Sequence, residues 1–259
     1  METSVNTSYL YSPSAWRKYL FGPLFRLAQP SRRVFLCPLC GYKGPFKRKV
    51  TRRYNHVRDH AKCPCCRSNE RERLQFLVAQ QVMTGRRPPD TLHIAPERIL
   101  ADWLSKVSAS YLTADLLRTD VDIQCDIQDL PFDDATFDLV FASHVLVYAR
   151  DDARAIAEVR RVLRPGGIAI MPVPIVAEQT TDPEGKRFFH EPGVDYPERF
   201  RASFSRVETW YSNQFDERHQ LYFYERPLQT SGDQPDPHPP SLKVAANQWQ
   251  DLVPVCFVD

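Results

Sequence analysis

The sequence predicts an α/β protein with a mostly parallel sheet covered on both faces, preceded by a small cysteine-bearing module. Three observations predict it. Short apolar runs alternate with amphipathic helical stretches between residues 70 and 173, the pattern of strands buried on both faces. Five of the seven cysteines, Cys37, Cys40, Cys63, Cys65 and Cys66, fall in the first part of the chain. Charge divides at the same place: residues 1–73 hold 16 Lys/Arg against four Asp/Glu, a net of +12, and residues 74–259 hold 18 against 28, a net of −10. The divisions that follow are a basic and apolar segment at 1–33, a cysteine module at 34–69, an α/β domain at 70–226 and a proline-rich tail at 227–259.

Composition narrows the class. At 42% hydrophobic and 25% charged the chain is an ordinary globular one. No apolar run approaches the ~18 residues of a membrane span, and residues 1–15 lack a signal layout, so a cytoplasmic protein is expected. Nine glycines stand where average usage gives roughly 18, which argues against a glycine-rich phosphate loop. The basic module could meet an anionic partner or dock on the acidic remainder of its own chain.

Along the chain, Trp16, Tyr19, Leu20, Leu24, Phe25 and Leu27 suggest an apolar helical segment that Gly22-Pro23 interrupts. Cys37-Pro-Leu-Cys40 and Cys63-Pro-Cys-Cys66 are two C-x-x-C pairs, 22 residues apart. Each such turn directs two thiolates at one centre, and four close the shell of a structural Zn²⁺. Cys37, Cys40, Cys63 and Cys66 are the expected ligands, with Cys65 a bystander and His56 or His60 able to substitute. Gly41 suits a turn of positive φ.

Ser68 or Asn69 caps a helix opening at Glu70. Thr91–Ala95 is a strand candidate, and Pro96 opens a helix with Ile99, Leu100, Trp103 and Leu104 on one face. Strands follow at Ser110–Ala114, Val121–Cys125 and Phe137–Ala142, then a helix at Asp151–Leu163. Pro165-Gly166-Gly167 ends that helix and leads into a strand at Ile168–Val173. Ser205–Tyr211 and Gln220–Glu225 suit an antiparallel hairpin at the sheet edge. The tail beyond Pro227 is expected to be loosely ordered, with Leu252–Val258 able to dock.

Ligands of such folds bind beyond the carboxyl ends of the strands. Those ends carry Ala95-Pro96-Glu97, Asp115, Asp126 and Ser143-His144. Helix-cap or turn roles for the two aspartates stay open, as does a core role for His144.

The run Asp126–Pro174, DIQDLPFDDATFDLVFASHVLVYARDDARAIAEVRRVLRPGGIAIMPVP, resembles the class I S-adenosylmethionine (SAM)-dependent methyltransferases of the type 11 kind. The chain also resembles a branch in which a cysteine ribbon ending CPxCxSxERxR, here Cys63–Arg73, precedes a first strand reading LHIAPE, here Leu92–Glu97. Asp195-Tyr196 and Arg199-Phe200 match a further element loosely. The resemblance implies a Rossmann-like seven-stranded methyltransferase sheet with a C-terminal antiparallel hairpin. It implies SAM as cofactor beside the structural Zn²⁺. Ala95, Pro96 and Glu97 would approach the methionine end and Asp115 the ribose hydroxyls. Asp126 and Ile127 would meet the adenine, and Ser143 and His144 would flank the methyl donor, with His144 the catalytic candidate.

Two departures stand out. The family's first loop has the form DxGxGxG, whereas residues 86–165 hold no glycine. Where HVLEHI is expected, the chain has His144-Val145-Leu146-Val147-Tyr148-Ala149. Methyl transfer to an unidentified acceptor, small molecule by preference, therefore stands beside two alternatives. One is a degenerate methyltransferase fold kept as a binding or assembly module; the other is a zinc-ribbon nucleic-acid binder. Oligomeric state is not legible.

Overall fold

The computed structural model describes residues 20–51, 56–183, 188–228 and 238–259. It opens with α1 (Gly22–Leu27), β1 (Phe35–Leu36), β2 (Lys43–Gly44), β3 (Lys47–Thr51) and β4 (His56–Lys62). The α/β part follows with α2 (Glu70–Met83), β5 (Asp90–Ile94), α3 (Arg98–Val107), β6 (Ser110–Asp115), β7 (Ile123–Gln124), β8 (Phe137–Ala142), α4 (Asp152–Val162) and β9 (Leu163–Ile170). The chain ends through β10 (Arg206–Tyr211), β11 (Phe223–Pro227), β12 (Lys243–Ala245), β13 (Gln248–Trp249) and β14 (Leu252–Phe257).

Seven strands form the main sheet, in the order β10-β14-β9-β8-β5-β6-β7. β5 to β9 pair in parallel, and β14 runs antiparallel to both β9 and β10. Side chains alternate across β8. Leu139 and Phe141 pack with Leu74 and Val78 of α2 and Leu100 and Leu104 of α3. Val140 and Ala142 pack on the other face with Ile156, Val159 and Val162 of α4. This two-sided burial is why the strands read as continuous apolar runs. Each such fully buried side chain contributes roughly 1.5–3 kcal/mol.

The antiparallel strand is not the expected one. The hairpin of 205–211 with 220–225 does not form. β14 pairs with β10 instead, from Arg206–Phe257 to Tyr211–Leu252. All six residues of β14 are buried, as an interior strand requires. Pro254 would argue against that placement, but it lies just past the last β9 pair, Val255–Ile170. There its carbonyl accepts from the Met171 amide at 3.4 Å.

β11 instead crosses to the cysteine module, in a five-stranded sheet of order β12-β13-β11-β4-β3, antiparallel throughout. The module is thereby completed by chain from beyond the α/β part. Smaller corrections follow from local geometry. β9 starts at Leu163, so Pro165-Gly166-Gly167 lies inside a strand rather than before it. Gly22-Pro23 opens α1 instead of interrupting it, since proline fits the first turn of a helix. Trp16 and Tyr19 lie outside the described residues.

Candidate functional site

The two cysteine turns are built alike. The Gly41 amide donates to the Cys37 carbonyl at 2.9 Å, and the Arg67 amide to the Cys63 carbonyl at 3.1 Å. Gly41 and Arg67 both take positive φ, 73° and 71°. The second turn thus carries arginine where the first carries glycine. The Sγ atoms of Cys37, Cys40, Cys63 and Cys66 all lie within 4.8 Å of one another, with Cys37–Cys66 at 3.5 Å and Cys40–Cys63 at 3.6 Å. A tetrahedron with Zn–S of about 2.3 Å has edges of about 3.8 Å, so the quartet fits Zn²⁺. Cys65 stands outside the quartet. His56 contacts Glu225 at 2.9 Å, and the His60 ring sits between Phe35 and Tyr224, so neither histidine joins the cysteines. Ser68 Oγ lies 3.4 Å from Cys37 Sγ and 3.2 Å from Cys66 Sγ.

The other predicted residues gather at the carboxyl ends of β5, β6, β7 and β8. Ala95 follows β5 with φ 50°, and His144 lies just past β8 with φ 58°. Neither is glycine, yet both adopt the left-handed backbone that glycine favours. The first loop has thus changed residue type while keeping a glycine-like conformation. Left-handed backbone costs a non-glycine residue about 1–2 kcal/mol, and such strain concentrates at functional turns. Ala95→Gly is therefore expected to raise stability by up to about 1 kcal/mol in urea unfolding. A loss of stability would show that the turn carries no such strain.

Local bonds fix this loop. The Ala95 amide donates to the Ala114 carbonyl at 2.7 Å. Glu97 precedes α3 as its N-cap residue without a side-chain cap bond; its carboxylate lies 3.3 Å from His93 Nε2. The Tyr111 hydroxyl is 2.8 Å from His93 Nδ1, and the tautomer with hydrogen on Nε2 satisfies both contacts. The Pro96 carbonyl accepts from Arg118 at 2.9 Å, and Arg118 is forked onto Asp120.

Asp115 Oδ1 accepts from the Leu117 and Arg118 amides at 2.8 and 2.9 Å. Asp126 Oδ1 accepts from the Gln128 amide at 2.9 Å, and both its oxygens lie near Gln128 Nε2. The turn role of each aspartate is thus real, and it orients each carboxylate at a strand end. Ile127 is buried beside Asp126.

Ser143 and His144 are held from α2. Gln75 Nε2 donates to Ser143 Oγ at 3.0 Å, and Arg71 Nη1 lies 3.5 Å from His144 Nδ1. Burial, then Arg71 and Arg58, pushes the His144 imidazole down to about 3, so it is neutral at physiological pH. Buried His190 is fully occupied, with Asp182 at 2.7 Å and the Ala149 carbonyl at 2.9 Å. Tyr148 is half exposed against Phe188. Little in the sequence pointed to Arg118 or Gln128. Arg71 was signalled only by the ERxR element that opens α2, and Gln75, two residues past that element, by nothing.

Residues 100–171 match the family model described as "Methyltransferase domain". A 49-residue stretch is 47% identical to an uncharacterised 37.1 kDa protein in transposon TN4556 of Streptomyces fradiae, covering 19% of this chain and 14% of that protein. Among solved structures, the 1,6-didemethyltoxoflavin-N1-methyltransferase of Burkholderia thailandensis, bound to 1,6-didemethyltoxoflavin and S-adenosylhomocysteine, is 14% identical. It has a TM-score of 0.45 over 73% of this chain and 77% of that one. The [4+2]-cyclase SpnF is 19% identical with a TM-score of 0.42, over 53% of this chain and 59% of that one. No helix among the described residues is long and apolar enough to cross a membrane.

Proposed function

We propose that this class I methyltransferase-fold chain binds SAM across the ends of β5 to β8 and transfers its methyl group to an acceptor. The observation that carries the reading is the placement of Asp115 and Asp126. Asp115 is the last residue of β6 and Asp126 lies two residues past β7, at the same end of the sheet as the left-handed Ala95 turn. β5 lies between β6 and β8, so the strand order reverses here, and such a crevice is where α/β sheets bind nucleosides. Asp115 takes the ribose diol, Asp126 and Ile127 the adenine edge, and Ala95, Pro96 and Glu97 the methionine end. SAM supplies an activated methyl on sulfonium. Ser143 and His144 then act by position and by shielding the reacting atoms from water. A histidine as weakly basic as His144 takes up a proton poorly near pH 7, so its part is to wall the methyl site. The cysteine quartet holds a structural Zn²⁺ that leaves no coordination position for substrate.

Calorimetry of zinc-loaded protein with SAM tests the reading. Asp115→Asn keeps Oδ1 for the turn but removes a charged acceptor, and is expected to weaken SAM binding roughly tenfold or more with little change in Tm. Unchanged affinity would remove Asp115 from the ribose site.

A second reading is a fold retained for assembly. It is favoured by how fully the crevice groups are satisfied internally, Asp126 by Gln128 and the Pro96 carbonyl by Arg118. It predicts that saturating SAM leaves the Tm unchanged; an upward shift rejects it.

A further inference from the structure

Two arginines from different parts of the chain bring their charge to the residues that follow β8. Arg58 lies on β4 of the cysteine module. Arg71 lies in the first turn of α2 and approaches His144 Nδ1 at 3.5 Å. Among the described residues, the charges that act most on His144 are these two cations, Arg71 first. The carboxylate nearest Arg58 is Glu70, with Nε to Oε1 at 3.8 Å, beyond hydrogen-bond reach. Among the described residues, neither arginine Nε and neither Glu70 oxygen has a hydrogen-bond partner. Arg71 has no carboxylate within ion-pair distance among them either. Of the other acids, Glu225 is engaged by His56 at 2.9 Å and His238 at 3.2 Å, and buried Asp251, which feels the Arg71 charge, accepts from the Leu252 amide at 2.9 Å. The Arg58 guanidinium is held over the Phe223 ring at 5.2 Å. Half-buried Lys49 adds a third cation, its ammonium pulled down by burial and by Arg58.

Two guanidinium groups that both act on His144 repel each other, and Glu70 offers Arg58 no hydrogen bond. An oxyanion accepting from both replaces that repulsion with charge-assisted hydrogen bonds. In sheet order the pair lies on the β8 side of β5, away from Asp115 and Asp126 on the β6 and β7 side. Arg58 and Phe223 belong to the module's sheet, outside the sheet that carries the cofactor crevice.

We infer that Arg58 and Arg71 form an oxyanion subsite for the methyl acceptor, so that the cysteine module supplies one wall of the acceptor site and the acceptor carries a carboxylate or phosphate. The assignment to an acceptor rests on the methyl-transfer reading above; the oxyanion subsite itself does not.

The test uses full-length, zinc-loaded, ¹⁵N-labelled protein and follows the arginine Nε–Hε signals by NMR, assigned with Arg58→Lys and Arg71→Lys. Lactate, inorganic phosphate and neutral propane-1,2-diol are titrated in the presence of S-adenosylhomocysteine. The expected result is movement of both signals with an anion, at concentrations that leave exposed Arg98 unmoved, and none with the diol. The stronger of lactate and phosphate names the anion class. Arg71→Lys is expected to weaken the apparent affinity on the order of tenfold. No movement, or equal movement at Arg98, overturns the subsite. So does displacement of the anion by S-adenosylhomocysteine, which would give the pair to the cofactor's own carboxylate. Binding of S-adenosylhomocysteine is read separately from its adenine protons. Its absence with the anion response intact fells the methyl-transfer reading and leaves the subsite standing.

Discussion

Arg73→Met is expected to destabilise the protein by about 3–5 kcal/mol, the largest effect of any single substitution away from the cysteines. Arg73 is fully buried, yet among the described residues no carboxylate hydrogen-bonds it. Its guanidinium instead donates to four backbone carbonyls: Ala61 at 3.0 Å, Ser68 at 2.8 Å, His219 at 3.0 Å, and Gln220 at 2.6 and 3.1 Å. These belong to the module's last strand, the second cysteine turn and the segment before β11. One side chain therefore joins three parts of the chain. Its guanidinium lies over the Phe46 ring, 4.6 Å from the ring centre.

Burial pulls the Arg73 pKa down, while Glu70 and the cysteines Cys37, Cys63 and Cys66 oppose it. Negative charge at the neighbouring acid and cysteine cluster thus favours a buried cation here. Methionine fills similar volume but leaves the four carbonyls without donors in the interior, at roughly 1–3 kcal/mol each before relaxation. Arg87→Met is the control. Its side chain is 70% exposed and pairs with Asp138, so its effect is expected within about 0.5 kcal/mol. Urea unfolding of both variants makes the comparison. Equal midpoints would show that Arg73 does not join the two halves.

How much of this was readable beforehand depends on whether the signal was local. The two C-x-x-C pairs carried their own geometry, because a metal knuckle needs little beyond four or five consecutive residues. The parallel core was readable for the same reason: Phe137–Ala142 and the Asp152–Val162 helix are each long enough to show their period. The last strands were not. Gln220–Glu225 and Leu252–Phe257 are both β-rich, and nothing local says which of them enters the main sheet. Proline at 254 pointed the wrong way, since its penalty vanishes only because pairing with β9 stops at Val255. At the crevice, residue types were readable and backbone conformation was not. The absence of glycine suggested a changed loop, whereas Ala95 and His144 both take left-handed φ. Arg73 looked like one more charge on a helix; its burial depends on carbonyls from residues 219 and 220.

Removing Zn²⁺, or both Cys63 and Cys66 by Cys→Ser, is expected to do more than loosen the module. Structural Zn²⁺ contributes roughly 10–16 kcal/mol in zinc-dependent peptides, comparable with the whole stability of a typical domain, about 5–15 kcal/mol. The path of damage is specific. Ser68 Oγ contacts two of the thiols, and the Ser68 carbonyl accepts from Arg73. Asn69 then opens α2, its amide donating to Glu72 at 2.7 Å. From α2, Arg71 reaches His144 and Gln75 reaches Ser143. Without a metal the cysteines take up protons and nothing ties the two turns together, so the second cysteine turn opens and the first turns of α2 lose the contacts that orient them. The β5–β9 core, packed on its own apolar residues, is expected to outlast this. The predicted signature is therefore split. On adding chelator, the cysteines of the quartet become reactive to a thiol reagent and SAM affinity falls, while hydrogen exchange stays slow for amides of β5 and β8. Metal analysis at about one zinc per chain fixes the starting state. Chelated protein that keeps its Tm, its thiol protection and its SAM affinity would show that the quartet is not a metal centre and that α2 is held without it.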